Sequence, residues 1–172
     1  MKNIFLIVLL FSSTIAKCQI QSNIITQKEF DDIEINNVKF SSLKNTLGKE
    51  SNVENLLGIP SSKNIDPDGE FYHYEFNGFT IGFSSLISNG TIEKPIIGRF
   101  IITNKNYSII ITGVKLTIGD DISKLGTINF SENRDGSKYI QYQYCYGCNN
   151  FIYIHFNQVS KKITEIGFIE LT

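Results

Sequence analysis

The sequence predicts an α+β fold: two tandem β-α-β-β-β modules that build antiparallel sheet, with short helices packed on one face. Three observations carry this expectation. Apolar residues alternate with polar ones at period two through "EFYHYEF", "FTIGF", "KYIQYQY" and "FIYIHF", the pattern of half-buried strands. Two short segments, "SNVENLLG" (51–58) and "DDISKLG" (120–126), begin with helix-capping residues and end in glycine. Finally, these elements recur in one order along the chain, as a duplicated unit would.

In chain order, "MKNIFLIVLLFSSTIAKCQI" reads as a secretory signal over residues 1–18. Lys2 supplies the positive start. The apolar run Ile4 to Phe11 is too short to span a bilayer, and small residues follow it. Cleavage fits after Ala16 or after Cys18. Lipid attachment to Cys18 would require a small residue before it, and Lys17 stands there, so no lipid anchor is expected. Residues 19–29 read as a linker.

The first module covers 30–104 and the second 105–172. "IEINNVKF" (33–40) and "IIITGVKL" (109–116) share an alternating run, a turn and a Val-Lys step. Each is followed by its helix segment, in which Ser51 and Glu54 have capping-box spacing. Asp68-Gly69 and Asp135-Gly136 then mark turns before the strand pairs. "IIGRFIIT" (96–103) and "ITEIGFIEL" (163–171) close the two modules.

Composition narrows the function classes. Once Lys2 and Lys17 leave with the signal, 16 basic residues fall to 14 against 17 acidic ones, a formal charge of −3. No basic patch points to nucleic acid, and no later segment has membrane-spanning length. G-x-S-x-G, H-E-x-x-H and phosphate-cradling glycine loops do not occur, and the reading carries no cofactor. "DPDG" (66–69) reads as a tight turn rather than a calcium loop. His73 and His155, the two histidines, fall on strands of different modules, so no metal site is expected.

Cys145 and Cys148 lie in about five extra residues at the second module's hairpin tip. A redox C-x-x-C places its first cysteine at a helix N-terminus, where the dipole favours thiolate. Strand-like sequence precedes Cys145, so the expectation is a local disulfide outside the cytoplasm. The alternative is an extracytoplasmic thiol-disulfide oxidoreductase using the same pair.

Alternation assigns the strand faces. Tyr72, Tyr74, Phe76, Ile140, Tyr142, Ile152, Ile154 and Phe156 form an apolar set that belongs beneath the helices. The opposite face carries His73, Tyr139, Gln141, Phe151, Tyr153 and His155, the candidate protein-binding residues. Aromatic rings among polar groups suit recognition of a protein partner.

"VENLLGIPSS" (53–62) resembles the V-x-x-L-L-G-x-P segment of the SmpA/OmlA outer-membrane assembly lipoproteins. The tandem helix-plus-sheet plan resembles the β-lactamase-inhibitor-protein-like fold. The resemblance implies a secreted or periplasmic bacterial protein that binds another protein, and it implies no catalytic residues.

Overall fold

The computed structural model describes residues 22–65, 71–85, 87–88, 91–92 and 95–170. The signal segment, Cys18 and the Asp66–Gly69 turn lie outside the described residues.

Strands dominate, and the helices are few and short, so the fold is α+β. In chain order the elements are β1 (Asn23–Ile24), α1 (Gln27–Asp31), β2 (Glu34–Ile35), β3 (Val38–Lys39), α2 (Phe40–Asn45) and α3 (Glu50–Leu57). Next come β4 (Ser62–Ile65), β5 (Phe71–Phe76), β6 (Phe79–Ser84), β7 (Ile87–Ser88), β8 (Thr91–Ile92) and β9 (Ile96–Ile102). The remainder is β10 (Ser108–Ile111), β11 (Val114–Thr117), a 3-10 turn (Ile122–Leu125), β12 (Ser131–Glu132), β13 (Lys138–Gln143), β14 (Asn150–Phe156) and β15 (Ile163–Glu170).

The main sheet has nine strands in the order β1-β13-β14-β15-β9-β6-β5-β4, with β12 also on β13. β1 runs parallel to β13, and every other pairing is antiparallel. A second sheet, β11-β10-β2-β3, joins two hairpins edge to edge. Both hairpins turn on two residues with positive φ: Asn36 and Asn37 at 48° and 66°, Thr112 and Gly113 at 49° and 82°. Such turns match the right-handed twist of paired strands.

One face of the main sheet carries the core. Phe79, Ile81, Phe100, Ile102, Ile140, Ile152, Ile154, Ile166 and Phe168 are all buried there. Phe40 of α2 packs edge-on against Phe100 and Phe168, at ring separations of 5.8 and 4.9 Å. Tyr107, just before β10, stacks on Phe79 at 5.0 Å. Val53 of α3 is fully buried, and the Tyr74 hydroxyl donates to the Gly48 carbonyl at 2.6 Å. Helices and small sheet therefore lie on one side, as the alternation predicts.

Three local expectations change. Residues 22–29, expected as linker, hold β1 and the start of α1. The helix α1 carries the capping box: Thr26 Oγ1 accepts from the Glu29 amide, and the Glu29 carboxylate accepts from the Thr26 amide. Ser51 and Glu54 form none, because α3 starts at Glu50, with Lys49 as its N-cap two residues before Ser51 and no side-chain cap. The helix expected over residues 120–126 is a single 3-10 turn, capped by the Asp121 carboxylate accepting from the Ser123 amide.

Candidate functional site

The face of the main sheet away from the helices is the candidate site. Ladder register arranges it in rows. One row reads Gln141, Tyr153, Gly167, Ile101, Thr80, Glu75 and Ser62 across seven strands. A second reads Phe151, Ile169, Arg99, Gly82, His73 and Asn64. Tyr139, His155 and Glu165 begin a third. Most of these side chains are half-buried, as on a sheet face with none of the described residues laid across it.

The structure brings five of the six predicted binding residues together on β13 and β14. The rings of Tyr139 and His155 are 5.7 Å apart, those of His155 and Tyr153 5.0 Å, and those of Tyr153 and Phe151 6.5 Å. Tyr139 donates its hydroxyl proton to Gln141 Oε1 at 3.2 Å. His73 stands apart. It lies on β5, four ladder steps from Phe151, or roughly 19 Å at normal strand spacing, and farther still from His155. Its Nε2 is 3.3 Å from Glu75 Oε1. Hydrogen bonds from Ser62 and then His73 hold the Glu75 carboxyl below its ordinary range.

Tyr153 and Gln141 point to the predicted side but are only 7% and 3% exposed. Tyr153 lies outside the core cluster. Its ring covers Gly167 on β15, where a Cβ would come within 2.3 Å of the ring. Its hydroxyl donates to Glu165 Oε1 at 3.0 Å. Burial, reinforced by the Glu165 charge, drives that phenol far above the ordinary tyrosine range. Tyr153 is thus part of the sheet's own packing, with the half-buried rings of Phe151 and His155 beside it.

The hairpin tip is closed as expected. The Cys145 and Cys148 sulfurs are at bonding distance, with Cα atoms 5.6 Å apart. β13 and β14 flank the loop, and Gln143 Nε2 donates to the Cys148 carbonyl at 2.9 Å. The Ser22 hydroxyl donates to the same glutamine's Oε1 at 2.5 Å, tying the N-terminal arm to the loop. Between the bridged cysteines Tyr146 is 88% exposed.

Arg99, Ile101 and Ile169 also belong to this face, and sequence reading missed them. They sit on β9 and β15, the strands that close each half. Alternation within "IIGRFIIT" sets Arg99 and Ile101 opposite Phe100 and Ile102, and that signal could have found them. Among the described residues, no group of three or more His, Cys, Asp or Glu is placed to hold a metal ion. No described helix is long and apolar enough to cross a membrane.

The fold and this face define an α+β protein whose broad sheet, among the described residues, is covered on one side and open on the other. No family model matches the chain, and neither a curated protein nor a solved structure matches it.

Proposed function

We propose that this chain is an exported, non-enzymatic binding protein of the bacterial envelope or exterior that presents its open sheet face to a protein partner. The observation that carries the reading is that face itself. It sets Phe71, Tyr139, Phe151, His155, Ile101 and Ile169 on a rigid ladder, with Phe71 56% exposed. Aromatic groups already held by strands lose little freedom on binding, which favours recognition. Export rests on the N-terminal signal pattern, and the closed disulfide accords with an oxidising compartment.

The chain is read as a tandem duplication of the SmpA/OmlA-like and β-lactamase-inhibitor-like kind. Support comes from strand order: β12-β13-β14-β15 is followed across the sheet by β9-β6-β5-β4, the same succession reversed. Equivalent residues meet where the halves join. Phe100 pairs with Phe168 in the main sheet, and Glu34 pairs with Ile110 between the hairpins.

Affinity capture from the exported fraction tests the binding reading. Wild type, Phe151→Ala with His155→Ala, and Asn55→Ala on the helical side are immobilised in parallel. A specific partner should be held by wild type and Asn55→Ala and lost by the double variant. Capture indifferent to the sheet-face substitutions would overturn the proposal.

A further inference from the structure

The open face contains a concave place, a pocket of about 410 Å³ over β5, β6 and β9. Two glycines make its floor. Gly82 stands between Arg99 and His73 in the ladder, and a Cβ there would lie 3.6 Å from both Arg99 Cγ and His73 Nδ1. Gly98 is the extra residue of a bulge, since Gly82 pairs with Arg99 and the next residue, Phe83, with Ile97. Ser84 Oγ lies against Gly98, 3.0 Å from where its Cβ would be. Phe71 and Ile169 supply apolar walls.

Arg99 is exposed and makes no ion pair among the described residues. The neighbouring histidine already has Glu75 on its Nε2, which leaves Nδ1 towards the glycine gap. The pocket therefore combines a guanidinium fork with one side open, a ring nitrogen, a hydroxyl and apolar walls. A guanidinium with free N–H groups is matched by a planar carboxylate, which accepts two parallel hydrogen bonds.

We infer that this pocket receives a carboxylate side chain of the protein partner, with Arg99 as its anchor and Phe71 and Ile169 against the adjoining apolar surface. The inference rests on the open face being the binding face and adds the partner's chemistry: an acidic residue beside an apolar one.

The probe is 3-phenylpropionate, with neutral 3-phenylpropanamide as control, followed by NMR of the whole mature protein. The carboxylate should shift the Arg99 side-chain N–H and the Gly82 and Gly98 amides saturably, and the amide should bind at least about tenfold more weakly. Arg99→Gln should lose about tenfold in affinity, and Arg99→Lys, which keeps the charge without the fork, should lose less. Gly82→Ala fits the backbone, raises the floor and should weaken binding several-fold without changing the melting temperature. Equal binding of acid and amide, no saturable shift, or indifference to Arg99→Gln would overturn the inference. If that happens while the Phe151 and His155 double variant still loses its partner, the pocket falls and the binding face stands.

Discussion

At the scale of single residues, Tyr153 and Gly167 show how the open face is built. A glycine in a central strand weakens it, yet here it leaves room for a ring from the neighbouring strand. Adding a methyl at 167 would strike Tyr153 near its hydroxyl. The ring would have to swing out and give up its bond to Glu165. Gly167→Ala should therefore destabilise the protein by about 1–3 kcal/mol, the usual cost of overpacking. Tyr153→Ala opens a cavity and should cost about 3 kcal/mol or more. The double variant should be less destabilised than the sum, because the clash disappears with the ring. Urea unfolding of all three measures this, and strict additivity would mean that the two residues do not touch in solution. Period-two alternation gave Tyr153 its face but not its burial. Burial depended on a glycine opposite it, and one strand does not reveal its partner's register.

At the scale of elements, the disulfide loop and the N-terminal arm deserve separate expectations. The Cys145–Cys148 bridge spans a separation of three residues, so it removes little freedom from the unfolded chain. A fifteen-residue loop is worth about 3 kcal/mol, and this one should contribute less than about 2. Cys145→Ser with Cys148→Ser should fold, keep the β13–β14 ladder, and melt slightly earlier. Insulin reduction by the wild type should stay near background, since no helix begins at Cys145 to stabilise a thiolate. Turnover abolished by either serine would restore the oxidoreductase alternative. The arm is a different matter. Phe30 of α1 is fully buried and packs against Tyr144 and Phe168, with ring centroids 5.2 and 6.2 Å away. Phe30→Ala should cost about 3–5 kcal/mol, and Thr26→Ala about 1 kcal/mol through loss of the cap, both read by urea unfolding. A silent Phe30→Ala would detach the arm from the core. The strands, hairpin turns and terminal glycines were legible because each is a local signal. The arm was not: β1 is two residues long, and only its parallel pairing with the distant β13 makes it a strand. The Thr26–Glu29 box was in plain sequence, but no long apolar period followed to draw attention to it.

For the whole molecule, the decisive fact is that one sheet and one core run through both halves. Phe100 and Phe168 stack at 5.7 Å where β9 meets β15, and Phe40 of the first half sits on both. Neither half can open without exposing the other's apolar face, so unfolding should be a single cooperative transition. Tyrosine titration offers a way to see it. Tyr74 on β5 and Tyr142 on β13 are both buried in the core, one in each half of the chain. Desolvation pushes Tyr74 up to about 12, and burial raises Tyr142 as well. An unfolded tyrosine ionises near pH 10. A group whose folded pKa is raised in this way gives stability that is intact below the unfolded pKa and is lost as pH climbs towards the folded one. Stability should therefore be insensitive to these phenols up to about pH 10 and fall between about pH 10 and 12. Within that window the phenolate signals of Tyr74 and Tyr142, resolved by NMR from the other six tyrosines, should rise together with loss of far-ultraviolet sheet signal. Tyr74→Phe removes one of the raised phenols, leaving Tyr142, Tyr107 and Tyr153, and should soften the decline, although it also leaves the Gly48 carbonyl without its donor and should cost about 1–3 kcal/mol at neutral pH. Phenolate forming at Tyr74 or Tyr142 near pH 10, read from their own ring resonances with the sheet signal intact, would show that the buried tyrosines open locally, and that the two halves of the chain do not share one cooperative core.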